Sequence, residues 1–316
     1  MVPWTNSCFG TPPPLPSQWC CCRELTTPLC IAASHGHTTC LRHLLFWRAD
    51  PNLAPGGLSA LHEACAGGHT DCVELLLEHK ANPNLLSDEG LAPLHLPNSC
   101  CSSQCAKLLV KYGAKVDLPS EDTQETPLHV AAKHGLYEHA HLYLRYGAHV
   151  DKKNSQEETA LSVTCGQGKN VADQQIYLQM CRLLIMYGAD VNTTDEEQKS
   201  PLHKACKNAN YSLVQFLLQT KADVNAIDYN GSSPMACVLQ TAAFKQELRP
   251  HFTVQTLLNY GSQKIWPTAF VKVWSCRLTR CRLRSSSLHI KDTFSRGQVI
   301  IGDRYVCRGR AVRESH

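Results

Sequence analysis

Apolar residues along this chain recur three and four positions apart in short runs, and the runs come in pairs. Leu41, Leu44 and Leu45 form one run, and Val73, Leu76 and Leu77 another. That spacing places side chains on one face of a helix. A tighter apolar group precedes each run: Leu29 with Ala32-Ala33, Leu61 with Ala64-Cys65, Leu128 with Ala131-Ala132, Leu202 with Ala205-Cys206. Small residues there allow a first helix to pack closely on its neighbours. Thr27-Pro28, Thr126-Pro127 and Ser200-Pro201 open these helices, with a hydroxyl for the N-cap and a proline whose φ is preset at the first helical position. Gly113, Gly147 and Gly188 follow the second helices and fit the left-handed residue that ends a helix. Polar stretches then turn the chain outward, predicting a β-hairpin finger between units.

The pairs repeat. The central apolar residue falls at Leu29, Leu61, Leu94, Leu128, Leu161, Leu202 and Met235, at steps of 32, 33, 34, 33, 41 and 33 residues. A second phrase, from RADPN ending at Asn52 to KADVN ending at Asn225, keeps the same series. A period of 33 with the phrase T-P-L-H-x-A is the signature of ankyrin repeats. One unit cannot bury its apolar face, whereas stacked units build a continuous core. The expectation is an all-α ankyrin solenoid of about seven repeats over residues 25–265, with a disordered Pro/Cys-rich stretch at 1–24. Two irregularities are predicted. Eight extra residues between Leu161 and Leu202 are placed at Gln167 to Gln175, and Pro97 interrupts the first helix of the third repeat.

Composition sharpens this picture in two places. Hydrophobic content of 43% and charged content of 18% exclude a fully disordered or fibrous chain. The net charge of +4 is uneven: from Trp274 onward nine Arg and one Lys face three acids, a local +7, so the rest stands at −3. No apolar stretch reaches membrane-spanning length, and no membrane partner is expected. Eighteen Cys without a secretory signal indicate reduced thiols and an intracellular protein, cytoplasmic or nuclear.

Candidate chemistry is absorbed by the repeat. His62, His95, His129 and His203 share one place in the phrase, where a ring hydrogen-bonds between neighbouring units; successive copies lie a repeat apart, which does not suit a common metal. Cys65, Cys165 and Cys206 share one helical position, and Cys40, Cys72 and Cys105 another, as small packing residues. No catalytic, cofactor or metal residues are assigned, and a non-enzymatic interaction protein is expected. The basic tail lacks a nucleic-acid-binding frame, so no specific nucleic acid is expected either. A sharper signal is the acids at the finger tips: Asp88 and Glu89; Glu121, Asp122 and Glu125; Glu157 and Glu158; Asp195, Glu196 and Glu197. Successive tips line one edge, so these residues are candidate contacts for a basic partner segment.

The segments ELTTPLCIAASHGHT, APGGLSALHEACAGGHTDCVELLLEHKANPN and LLNYGSQKIWPTAF resemble the ankyrin repeat and SOCS box proteins, from about Glu24 to Val273. Trp266-Pro267 with Ala269-Phe270 is similar to that family's junction after the last repeat, giving a junction at 266–273. The resemblance implies a substrate-recognition subunit of a cullin–RING ubiquitin ligase, with a target protein held on the repeats and elongin B/C and a cullin bound by a C-terminal SOCS box. Residues 274–316 depart from that pattern as a basic tail expected to be disordered, with the box missing or replaced. Within it, Leu278 and Cys281 are weak candidates for the elongin-binding face. The alternative expectation is a ligase-independent ankyrin scaffold or competitor.

Overall fold

The computed structural model describes residues 26–96, 103–168, 173–242, 248 and 250–262. The expected disordered ends at 1–24 and 274–316 and the junction at 266–273 lie outside the described residues, apart from which the repeat register is as the period predicts.

Seven units follow one another. They are α1 (Pro28–Ser34) with α2 (Thr38–Phe46), α3 (Ala60–Gly67) with α4 (Thr70–Glu78), a 3-10 turn (Pro93–His95) with α5 (Ser103–Lys111), and α6 (Pro127–His134) with α7 (Tyr137–Arg145). Then come α8 (Ala160–Gly166) with α9 (Gln174–Met186), α10 (Pro201–Lys207) with α11 (Tyr211–Gln219), and α12 (Pro234–Ala242) with α13 (Pro250–Asn259). First helices stack on first helices and second on second, each unit touching its neighbours. The core is therefore one continuous band, from Leu29 and Leu41 to Val254 and Leu257.

The marker residues explain the packing. Leu61, Leu161 and Leu202 are fully buried, and Leu94, Leu128 and Met235 nearly so. Each such side chain contributes about 2 kcal/mol of burial. The shared cysteine positions are buried too, with one exception: Cys40 is exposed, because no described unit precedes α2 to cover it. Gly113, Gly147 and Gly188 have φ of 92°, 87° and 91°. The equivalent residues Arg48, Lys80 and Lys221 adopt the same left-handed conformation at 64°, 65° and 70° without glycine's freedom.

One expectation, the β-hairpin finger, is corrected. No strand occurs among the described residues; the fingers are tight turns, such as Ser87–Leu91, closed by Leu91 N–H donating to Ser87 Oγ at 3.1 Å and by Ser87 N–H donating to Leu91 O at 2.9 Å. Each finger is closed by a backbone bond across its own turn and joined to the next finger by another. The insertion in the fifth unit lies between α8, which ends at Gly166, and α9, as expected, and its last two residues open α9, which begins at Gln174 and runs 13 residues against nine in α2, α4, α5, α7 and α11. Its added turn reaches the preceding unit, where Tyr177 Oη donates to Lys133 O at 3.2 Å. The hydroxyl N-cap also has two forms. Thr27 and Thr159 accept the N–H of Cys30 and Ser162. Where His stands at that place, its ring accepts the cap residue's own N–H and completes a capping box with the hydroxyls of Ser59, Thr126 and Ser200. In the third unit, Pro97 is predicted to interrupt the first helix, and the regular structure ends at His95 as a 3-10 turn.

Candidate functional site

The fingers form a polar edge whose members are bonded one to the next. Backbone bonds join each finger to the next: Asp88 N–H to Gly57 O at 3.2 Å, Glu121 N–H to Gly90 O at 3.1 Å, Ser155 N–H to Thr123 O at 3.0 Å, Glu196 N–H to Gln156 O at 3.2 Å, and Tyr229 N–H to Glu197 O at 3.1 Å. The glycines at two of these contacts have a geometric reason. A Cβ on Gly90 would stand 2.5 Å from Glu121 Cβ, and one on Gly57 2.7 Å from the Asp88 carboxylate.

A second series runs through the last residue of the RADPN-type phrase. Asn52 Oδ1 accepts from Asn82 N–H at 2.7 Å, Asn84 Oδ1 from Lys115 N–H at 2.7 Å, Asp117 Oδ1 from His149 N–H at 3.0 Å, Asp151 Oδ1 from Asp190 N–H at 3.1 Å, and Asn192 Oδ1 from Asp223 N–H at 2.9 Å. The repeated Asn or Asp is thus a rivet between units. The phrase made the register visible in the sequence, though not this role.

The histidines are a third series. Backbone N–H groups of Ser59, Ala92, Thr126 and Ser200 donate to Nδ1 of His62, His95, His129 and His203. Nδ1 therefore carries no proton, and Nε2–H donates across to the next finger at Leu91, Glu125, Glu158 and Ser232 carbonyls, at 3.0 to 3.1 Å. Burial lowers the pKa of all four rings, opposed by those carbonyl contacts. The rings hold the fingers on the helices and leave no lone pair for a metal. Among the described residues no group of three or more His, Cys, Asp or Glu side chains is arranged to hold one.

The ten finger acids do not share one environment. Asp195 is buried, and its Oδ1 accepts from Glu197 and Lys199 N–H at 3.0 and 2.8 Å. It holds its finger closed, as Asn154 and Asp228 hold theirs through the same pair of backbone contacts. Its other oxygen meets Lys204 Nζ at 2.8 Å, and the same ammonium pairs with Glu158. Glu125 lies 3.8 Å from Lys133, Glu157 2.8 Å from Lys153, and Glu197 pairs with Lys199. The remaining five, Asp88, Glu89, Glu121, Asp122 and Glu196, are exposed and face no Lys or Arg within ion-pair distance among the described residues. The uncompensated charge is therefore concentrated on the fingers of the second and third units, with Glu196 apart from it. Sequence spacing alone treats Asp195 and Asp88 alike; the shared register of Asn154, Asp195 and Asp228, seven residues before each marker, is the signal that separates them. Leu278 and Cys281 lie outside the described residues.

Comparison with known proteins agrees with this geometry. The profile described as ankyrin repeats (3 copies) matches residues 29–120, 79–154, 128–228 and 169–265. The chain is 55% identical over 251 residues to ankyrin repeat and SOCS box protein 18 of Homo sapiens, covering 79% of this chain and 54% of that protein. It is 45% identical over 260 residues to ankyrin repeat and SOCS box protein 10 of Homo sapiens, covering 80% and 56%. The chain spans about half the length of these curated relatives. The crystal structure of the human ASB11 ankyrin repeat domain superposes with a TM-score of 0.63 at 28% identity, over 76% of this chain and all of that one. With its profile matched along most of its length, its seven stacked units and its relatives all named for the same repeat, the chain belongs to the ankyrin-repeat family.

Proposed function

We propose that this chain is the substrate-recognition part of an elongin/cullin-type ubiquitin ligase, a non-catalytic module that holds a target protein on its fingers. The observation that carries the recognition half is the backbone-bonded finger edge, which keeps Asp88, Glu89, Glu121 and Asp122 exposed and uncompensated on consecutive units. Held in place before binding, these carboxylates lose little entropy when a basic segment docks. The ligase half rests on the relatives, which are named for a SOCS box as well as for their repeats. An intracellular setting belongs to the same reading, supported by the many free cysteines, such as Cys65, Cys181 and Cys206, packed in the core.

Co-expression of the full chain with elongin B/C tests it directly. Recovery of a complex that Leu278→Ala with Cys281→Ala abolishes supports the adaptor. A second reading, a ligase-independent scaffold, is favoured by the tail's charge of +7, which sets it apart from the slightly acidic repeats. Capture of a target without elongin B/C would decide for that scaffold.

A further inference from the structure

The outer face of the second helices changes sign along the stack. On α4 the exposed charges are Asp71, Glu74 and Glu78. On the next three second helices they are Lys107 and Lys111 of α5, Arg145 of α7 and Arg182 of α9, with Glu138 in the first turn of α7 as the one acid. None of the four cations meets a carboxylate within ion-pair distance among the described residues. Lys111 Nζ instead lies 5.8 Å from the ring centre of Tyr112, and the Arg182 guanidinium 5.5 Å from that of Phe216 in α11. Both flanks of this stretch are built, since α4 packs on α5 and α11 on α9. Its exposure therefore does not depend on either end of the stack.

Aromatic and apolar side chains share this face. The last residues of α5, α7 and α9 are Lys111, Arg145 and Met186, and an exposed tyrosine follows each: Tyr112, Tyr146 and Tyr187. Met186 is 82% exposed, at a place where α4, α5, α7 and α11 carry Glu78, Lys111, Arg145 and Gln219. Tyr187 also meets His141 of α7 edge to face at 6.5 Å, and His141 stacks on Tyr137 at 6.2 Å. The aromatic row thus crosses from one unit to the next. Tyr, Met and Arg concentrate at the centres of protein interfaces, and unpaired charge of one sign favours a partner of the other.

We propose that the outer face of α5, α7 and α9 is a docking surface for an acidic amphipathic helix of a partner protein, which lies across the three helices with carboxylates on Lys111 and Arg145 and apolar side chains on Tyr146, Tyr187 and Met186. The spacing suits it. Packed helices lie about 10 Å apart, and seven residues of a helix rise about 10.5 Å. Acids one heptad apart therefore meet Lys111 and Arg145 in turn, and the next heptad sets an apolar residue on Met186. Glu78 holds the same place on α4 and repels an acidic helix, which fixes where the contact ends. The charge disfavours the chain's own ends, because residues 274–316 stand at +7 and residues 1–25 carry a single acid, Glu24, beside Arg23. Met186 in the row offers nothing to a uniformly anionic partner such as nucleic acid. None of these residues belongs to a finger.

Fluorescence anisotropy with a labelled peptide helix of about three heptads tests this, made with Leu and Glu in register, with Lys in place of Glu, and with the acidic sequence scrambled. The in-register acidic peptide is expected to bind the full chain at least ~10-fold more tightly than either control. Lys111→Glu with Arg145→Glu is expected to weaken it ~10-fold or more, and Met186→Asp roughly threefold or more. These side chains are exposed and hold no ion pair among the described residues, so the variants should melt as the parent does; Lys111→Ala with Arg145→Ala replaces the reversals if those misfold. Equal binding of the three peptides, or undiminished binding to the double variant and to Met186→Asp, overturns the proposal. So does tighter capture of polyuridylate RNA or of phosphatidylserine vesicles than of the acidic peptide, lost in the same double variant, which assigns the face to nucleic acid or to a membrane. A concentration-dependent doubling of native mass that the double variant abolishes assigns it to a second copy and overturns the proposal equally.

Discussion

The phenolic hydroxyl of Tyr143 donates to the carbonyl oxygen of Leu94 at 3.3 Å, linking α7 to the 3-10 turn of the unit before it. Tyr143 is completely buried, and burial pushes its pKa far up, so the phenol stays a donor throughout the ordinary pH range. At this register the other units carry Leu: Leu76, Leu109, Leu184, Leu217 and Leu257. The larger residue stands beside the one unit whose first helix is shortened. There it lines a small cavity with His139, Cys65 and Leu94. A shortened element and an enlarged neighbour are thus two halves of one packing solution.

Tyr143→Phe therefore removes a donor from a buried carbonyl and should cost about 1–2 kcal/mol. Tyr143→Leu, which restores the residue of the other units, should cost more, about 3 kcal/mol, because it also opens a void. Urea unfolding of the two variants beside the parent measures both. Parental stability of Tyr143→Leu would show that the ring is dispensable.

Acid should weaken the stack through its histidines. His62, His95, His129 and His203 each accept a backbone N–H at Nδ1, so protonation of any ring breaks a cap and buries a charge. Their folded pKa values lie below the 6.5 of an unfolded histidine. The unfolded chain thus binds more protons, and the contribution of these rings is fully present above pH 6.5 and declines as pH falls toward the folded values. Each ring that titrates only on unfolding contributes a slope of about 1.4 kcal/mol per pH unit. Denaturant midpoints at several pH values between 7.5 and 5 measure the sum. In His129→Gln the slope should be shallower by one proton, and an unchanged slope would remove that ring from the account.

The fold was legible because its information is periodic: two markers at the same spacing predict seven units, and seven are present, six as helix pairs and the third as a 3-10 turn with one helix. What periodicity hides is the exception carried by a single side chain. Asp195 reads as one more finger acid, yet its carboxylate closes a turn and pairs with Lys204 of α10, a contact between residues that local spacing does not relate. The fingers read as hairpins because polar turns separate the units. Each is closed by a backbone bond across its own turn and joined to its neighbour by one more, as from Glu121 to Gly90, and no strand develops among the described residues. The acid row was legible in composition, whereas its division into paired and unpaired members depends on where Lys133, Lys153, Lys199 and Lys204 reach.

The left-handed position after each second helix offers a symmetric test. Lys80 and Gly147 hold equivalent places at φ of 65° and 87°, and nothing lies within 4 Å of a Cβ built on Gly147. Only backbone strain then distinguishes glycine from other residues there. Lys80→Gly should stabilise the protein by about 1 kcal/mol and Gly147→Ala should destabilise it by a similar amount. Thermal melts of the two variants read the opposite shifts; a loss of stability in Lys80→Gly would mean that its side chain contributes more than its backbone strain costs.

Charge reversal should separate the binding acids from the structural ones. Asp88, Glu89, Glu121 and Asp122 are exposed without a cationic neighbour among the described residues, so changing Glu121 and Asp122 to Lys removes attraction for a basic segment and disturbs no ion pair. The double variant should weaken binding of a labelled Arg/Lys-rich peptide by about tenfold or more, with the larger part lost at low salt, while the melting temperature stays close to the parent's. Asp195→Asn and Lys204→Met should behave in the opposite way. Each leaves a partner of a largely buried contact uncompensated, Asp195 with Glu158 in the second case, and should cost about 2 kcal/mol of stability with little direct effect on the peptide. Anisotropy titrations and urea unfolding on the same four proteins distinguish the two sets. If Glu121→Lys with Asp122→Lys binds the peptide as the parent does, the finger edge is a solvated face and the basic-partner reading falls, whatever becomes of the stability variants.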